Sequence, residues 1–456
     1  MRLGMINMKI KNPLKIYSMQ DGNRRITLFS LAIPLLVQTI IGQFYGTLGT
    51  MQLSNYSDIA VSGSSIAGSV MNIANFILNM VVNGTVILSA VAIGAKEREK
   101  VGRYASTGAI IGVALSVILA VFGFVFAEEL LVLMNLEGEA LAFAITYFKI
   151  RIVFLPMVAI TSLLNSLLIC NGFPKITMYI GFFISTISLA MGYTVLYTRI
   201  EKMIDPVYSM PWVANICQTI SLLLTIIVYV RNNCAFNFKF SFKDALKIFK
   251  LGIPGGMALL MYTLAQTITT SFVADMGVDV INTKIYIGSI ISYVPMLGYA
   301  ISQANSVFMG RFRGAGDFDS IKVLYKQNTI LAISINVVLS VIVLIFHKYL
   351  ISIFTDNADI INATSLIFLL DIFVEIPRAV NNISENSLNP NGDVKTTFIV
   401  STISCWLGSV VFSYVLCVLF KMGLVGIWVA FIADETIKAV VYLIRWKSDK
   451  WQKTKI

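Results

Sequence analysis

The sequence predicts an all-α membrane protein, with twelve transmembrane helices in two pseudo-symmetric six-helix bundles around a central cleft. Three observations predict it: an apolar composition, twelve runs of bilayer-spanning length, and a pattern that repeats at a constant offset. Of 456 residues, 57% are hydrophobic and only 13% are charged, about half the charged share of a typical soluble domain. So few charges cannot cover an aqueous surface, so a soluble globular protein is excluded. Apolar runs long enough to cross about 30 Å of hydrocarbon occupy 26–51, 59–95, 104–127, 140–170, 174–198 and 207–230, then 247–274, 279–310, 327–346, 358–389, 394–420 and 422–445. Runs such as 59–95 exceed the roughly 20 residues needed, so tilted helices projecting beyond the bilayer are expected.

The N-terminal segment 1–25 is polar and basic, with no short apolar stretch before a cleavage site, so the N-terminus is expected to be kept. Basic residues then set orientation. Those of the N-terminal segment share one side with clusters at 96–103, 231–250, 311–326 and 445–455, which with Lys175 and Lys395 makes 26 of the 35 Lys and Arg residues. The positive-inside rule places that side, and both termini, in the cytoplasm. The loop after the third run carries Glu128, Glu129, Glu137 and Glu139 with no Lys or Arg, as an outer loop should. The net charge of +11 is therefore topology signal with some attraction to anionic lipid, and implies no nucleic-acid partner.

Three short matches recur 220 residues apart: Leu31-Ala-Ile-Pro34 with Leu251-Gly-Ile-Pro254, Gly94-Ala95 with Gly314-Ala315, and Asn171-Gly172 with Asn391-Gly392. They divide the chain into a bundle at 26–230, a cytoplasmic linker at 231–246, a second bundle at 247–446 and a cytoplasmic tail at 447–456. Both bundles enter the membrane from the same side, so their pseudo-axis is expected along the membrane normal. Duplicated bundles suit a transporter that rocks between inward-open and outward-open states; a receptor or enzyme has no comparable need for them.

Polar groups within hydrocarbon point to the cleft, because each costs several kcal/mol unless it is paired or faces water. In the tenth run, Asp371, Glu375, Arg378, Asn382, Glu385 and Asn389 recur every three or four residues, forming one stripe about 27 Å long. Two readings of Glu375 and Arg378 stay open. They can form a structural ion pair at i,i+3; or Asp371 and Glu375 are the protonatable or cation-binding pair, exchanging Arg378 as one takes up a proton. In the second run, Asn72, Asn75, Asn79 and Asn83 share a face, either lining a water-filled cavity or hydrogen bonding between helices. Tyr262, Gln266 and Tyr293 join the cavity candidates with Asn382. Asp434 and Glu435 precede Lys438 at salt-bridge spacing, read as a structural ion pair. Lys149 and Arg151 have no acid in their own helix, so an acidic partner is expected from elsewhere. Five scattered cysteines and a single His347 offer no disulfide framework or metal site. The glycines near 314 form no phosphate-binding loop, so no cofactor is expected and the chain reads as a non-enzyme.

Glu375-x-x-Arg378-Ala379-x-Asn381, Gly392-Asp393, Trp406, Ser413-Tyr414, Gly423-Leu-Val-Gly426-Ile-Trp428, Asp434-Glu435 and Arg445-Trp446 with Trp451 resemble the C-terminal half of the multidrug and toxin extrusion (MATE) family. Ile33-Pro34, Gly94-Ala95 and Asn171-Gly172-Phe-Pro174-Lys175 resemble its first half. The resemblance spans essentially the whole chain. It implies a secondary active efflux antiporter of the inner (plasma) membrane that exports organic, cationic, amphipathic compounds in exchange for H⁺ or Na⁺ by alternating access. Its partners would be the bilayer and small-molecule substrates, with no obligate protein partner. Many relatives carry an aspartate in the first span where this chain has Gly49, and some carry an acid in the seventh where it has Tyr262. Within the resemblance, this leaves Glu375 and Asp371 as the coupling candidates. The alternative is a flippase for lipid-linked oligosaccharide, whose pyrophosphate would suit Lys149, Arg151 and Arg378.

Overall fold

A computed structural model of the chain describes residues 18–21, 24–54, 57–134, 136–197, 206–274, 278–355 and 358–454. Most of the basic N-terminal segment, and the loop residues Arg199 and Lys202, lie outside this set. A small antiparallel hairpin, Ser18–Asp21 paired with Arg24–Thr27, precedes the first helix. It was not anticipated, although Gly22-Asn23 between two short runs is a hairpin signal.

The helices are α1 Leu28–Ser54, α2 Asp58–Gly94, α3 Arg98–Val125, the short α4 Ala127–Val132, α5 Gly138–Ile152, α6 Leu155–Cys170, α7 Pro174–Tyr197 and α8 Pro206–Arg231. They continue as α9 Phe242–Ala274, α10 Val278–Ile291, α11 Val294–Ala315, α12 Phe318–Ser352, α13 Ala358–Leu388, α14 Val394–Ser404 and α15 Gly423–Lys447. Two runs read as continuous are broken: α5 and α6 meet at 55°, and α10 and α11 at 45°. Pro156 and Pro295 stand in the first turns of α6 and α11, where the missing N–H and the clash with the preceding turn end one helix and open another. Eight helices are long and apolar enough to cross a membrane, ten counting each bent pair as one span. The long helices α13 and α15, with charges in mid-helix, complete the twelve among the described residues.

The chain divides into two compact units, one comprising 34–93 and 97–253, the other chiefly 254–456. In the first, Leu131, Phe148, Ile152 and Leu155 form a fully buried core. In the second, Ile287, Ile351, Phe368, Val374 and Trp428 do so.

The repeated Asn-Gly pair has a physical basis visible in each unit separately. Gly172 and Gly392 take φ of 86° and 88°, left-handed values that glycine adopts without a Cβ penalty. Phe173 N donates to Leu168 O at 2.9 Å and Asp393 N to Leu388 O at 3.0 Å, the long-range bond of a glycine helix stop. The preceding asparagines close the last turn identically, Asn171 Nδ2 on Leu167 O and Asn391 Nδ2 on Ser387 O, both at 2.7 Å.

Helix α9 starts ahead of the apolar run at 247, because Ser241 Oγ accepts from Asp244 N at 3.3 Å and caps it. The tail folds back within its unit. Trp451 is fully buried and stacks on Trp446 at 4.5 Å, while Arg313 donates to the carbonyls of Gln452 and Thr454 at 2.9 and 2.7 Å.

Candidate functional site

The charges of α13 and α15 meet in one cluster. Glu375 is fully buried and its Oε1 takes a charge-assisted bond from Arg378 Nη1. The i,i+3 spacing on α13 makes that pairing local. Arg378 also reaches out of its helix: its Nε lies 3.4 Å from Glu435 Oε1 on α15. Lys438 Nζ is 2.9 Å from Asp434 Oδ2 and 3.9 Å from Glu435 Oε1. Two of the coupling candidates, Glu375 and Arg378, are therefore in one network with the ion pair read as structural, three carboxylates and two bases bridged by Arg378 and Glu435.

Neutral groups fix this network; of these only Asn381 is marked in the sequence, within the family pattern and without a role. Asn336 Nδ2 on α12 donates to Glu375 Oε2 at 2.8 Å, and Asn381 Nδ2 donates to Glu435 Oε2 at 2.7 Å. Among the described residues, the side-chain oxygens of Asn336 and Asn381 are themselves buried without a hydrogen-bond donor. Asp434 is held by Ser404 Oγ at 2.8 Å and Ser409 Oγ at 2.6 Å. Five residues make about 1.4 turns of α-helix, which would turn these serines to different faces. Past Ser404 the chain winds as a π-helix over Cys405–Val411, in which five residues make about one turn, so both serines face Asp434. Gly408 permits the approach, since a Cβ there would stand 2.7 Å from Asp434 Cα.

Asp371 is nearly fully buried and lies in the electrostatic field of Arg378 and Glu375, with no ion pair to it among the described residues. It accepts a bond from Trp428 Nε1 at 3.3 Å. The second carboxylate paired with Arg378 is thus Glu435, reached across helices, where the sequence had suggested Asp371, one turn before Glu375 on the same helix. Tyr262 on α9 is part-exposed, with its hydroxyl in the electrostatic field of Arg378, Glu435 and Lys438. Asn382 contributes its carbonyl, accepting from Ser302 Oγ at 2.8 Å. Gln266 is half-buried, and Tyr293 lies exposed at the break before α11.

In the other unit, α2 carries the asparagine stripe. Asn72, Asn79 and Asn83 are exposed and Asn75 is half-buried. The two bases of α5 have neutral neighbours where acidic ones were expected. Arg151 Nη1 donates to Asn215 Oδ1 at 3.0 Å, and Lys149 Nζ sits 5.5 Å from the centre of the Phe124 ring, a cation–π arrangement.

The MatE family model matches residues 34–194 and 254–415, two segments that begin at the offset of the sequence repeat. The transporter YisQ of Bacillus subtilis, described as uncharacterised, is 28% identical over 442 residues, spanning 95% of this chain and 96% of its own. The probable multidrug resistance protein NorM of Thermotoga maritima is 23% identical over 446 residues, spanning 94% of this chain and 93% of its own. Among solved structures, an outward-facing multidrug resistance MATE family transporter of the MOP superfamily superposes with a TM-score of 0.85 at 16% identity, covering 94% of this chain and 96% of that one. A MOP superfamily transporter from Pyrococcus furiosus gives a TM-score of 0.84 at the same identity and coverage. The solved structures share the fold, and with the family match in both halves the chain belongs to the MatE family, the multidrug and toxin extrusion transporters.

Proposed function

We propose that this chain is a secondary active antiporter that exports organic, cationic, amphipathic compounds in exchange for inward-moving H⁺ or Na⁺ by alternating access, with cation coupling at Glu375. It is proposed to lie in the inner (plasma) membrane with both termini cytoplasmic. The observation that carries the reading is the charge imbalance of the buried network: Glu375, Asp434 and Glu435 against Arg378 and Lys438. A buried carboxylate without a full counter-charge is expensive, so the network favours taking up a cation. Glu375 is the member best placed to receive it. A proton there weakens its hold on Arg378 and leaves the guanidinium to Glu435, tightening α13 against α15. For a metal cation, the carboxylate oxygens of Glu375 are the hard donor type such ions prefer.

The α2 stripe supports a water-lined substrate path. No described group hydrogen bonds to the side chains of Asn72, Asn75, Asn79 or Asn83, and unpaired amides are costly in hydrocarbon, so this face is assigned to water. The test is efflux of a fluorescent organic cation from proteoliposomes under an imposed pH or Na⁺ gradient, comparing wild type with Glu375→Gln. Gradient-driven efflux abolished by the substitution is the expected result, and the effective gradient names the ion. Efflux retained in the variant removes coupling from Glu375. A folded wild type that moves no dye under either gradient sinks the antiporter reading.

A further inference from the structure

The segment Arg231-Asn-Asn-Cys-Ala-Phe-Asn-Phe-Lys-Phe-Ser-Phe-Lys-Asp-Ala-Leu-Lys-Ile-Phe-Lys250 joins the ends of two spanning helices, α8 and α9. Its backbone is fastened to the start of α3. Asn237 N and Phe238 N both donate to Ser106 Oγ at 3.0 Å, Ser241 N donates to Thr107 Oγ1 at 3.3 Å, and Asn237 Nδ2 donates to Glu99 O at 3.0 Å. With the polar positions turned inward, the aromatic ones face out. Phe238 is 88% exposed, Phe242 69% and Phe240 51%. Phe238 also holds φ at 51°, a left-handed value unusual for a bulky residue. Three phenyl groups fixed outward in this way are unfavourable in water.

The exposed charges of the segment have one sign. Arg231, Lys239, Lys243 and Lys250 are exposed. Asp244, the one acid between 231 and 250, is buried and bonded to Arg103. On α9, Phe242, Leu246 and Ile253 are all exposed, so the outward apolar face of the segment runs on along the flank of a spanning helix. Phenyl groups level with the helix ends, interleaved with lysines, have the chemistry of a membrane-interface anchor.

We propose that Arg231–Lys250 is a binding surface for anionic phospholipid. Phe238, Phe240 and Phe242 enter the boundary between acyl chains and headgroups, and Arg231, Lys239, Lys243 and Lys250 bind the phosphates. The surface fixes the segment, and the start of α3 to which it is fastened, to one leaflet. This is independent of substrate and coupling ion.

The test uses the full chain. Phe238→Trp is reconstituted in phosphatidylcholine vesicles containing phosphatidylglycerol, with and without bromine on the acyl chains. The emission it adds over wild type is expected to be blue-shifted and quenched by the brominated lipid. In detergent, native mass spectrometry of the wild type is expected to retain phosphatidylglycerol in preference to phosphatidylcholine. Each of Lys239→Gln, Lys243→Gln and Lys250→Gln should lower that preference by about fivefold. All these positions are exposed, so the variants leave the fold intact. Unquenched, water-like emission, or an unchanged lipid preference in the triple variant, overturns the proposal. So does energy transfer between labelled copies that Phe238→Ser abolishes, since the surface would then hold a second copy.

Discussion

Lys438 provides the most direct test of how the buried network is balanced. Lys438→Met keeps the side chain's length and removes its charge. Glu435 retains Arg378 at 3.4 Å, so the loss falls on Asp434, which among the described residues keeps only its two serine hydroxyls at 2.8 and 2.6 Å. Removing one partner of a buried pair costs about 3–5 kcal/mol; two hydroxyl bonds to the charged group, already present, do not replace the lost cation. In a unit of roughly 200 residues this lowers the melting temperature by on the order of 10 °C. Asp434→Asn with Lys438→Met removes both charges, and should recover at least half the loss, since no unpaired ion remains. The assay is a thermal melt of the detergent-solubilised wild type, both single variants and the double variant, analysed as a double-mutant cycle. A Lys438→Met protein as stable as wild type, or a double variant that loses the sum of the single losses, would refute the account of Asp434 and Lys438 as a mutually dependent pair.

Trp451→Ala removes a fully buried ring stacked on Trp446, and should cost about 3–5 kcal/mol, seen as early melting and as faster proteolysis of the tail. Burial pushes the Cys234 thiol from 9.0 up to about 11. At pH 7 its thiolate fraction is then about a hundredfold below that of an ordinary thiol, so alkylation by a soluble maleimide should be slow and rise about tenfold per pH unit up to that value. Gly172→Ala and Gly392→Ala force a Cβ into a left-handed backbone, each costing about 1–2 kcal/mol. Unequal melting shifts would show that the two helix stops are not equivalent.

The features legible in the sequence were those with a local signature. Helical spacing alone collected Asp371, Glu375, Arg378 and Glu385 on one stripe, and constant-offset matching found two glycines that the structure shows in the same left-handed conformation. Features that depend on packing between helices were not legible. Glu435 and Arg378 are 57 residues apart, and no periodicity reports which turn of α13 faces which turn of α15. Prolines were ambiguous for a related reason. Pro34, Pro254 and Pro377 lie inside continuous helices, whereas Pro156 and Pro295 begin new ones. The ring removes the same donor in each case, so the residue type alone does not tell a proline inside a helix from one that opens a new one. Nor does residue type mark a wide turn, so Ser404 and Ser409 drew no attention.

That wide turn also frees the register of its helix from chain length. A turn wound i→i+5 accommodates one residue more than an α-turn can, and Cys405–Val411 is followed by a second such stretch, Tyr414–Leu419. Taking a single residue out between Ser404 and Ser409 would let the stretch relax to ordinary winding, with the two serines spaced i,i+4 on the face towards Asp434 and the helix beyond turned only slightly. The same gap in a regularly wound span would rotate everything beyond it by about 100°. In this part of the molecule a one-residue gap is therefore a smaller change than elsewhere in a span, and alignments of relatives across 404–419 should admit gaps that the other helices would not.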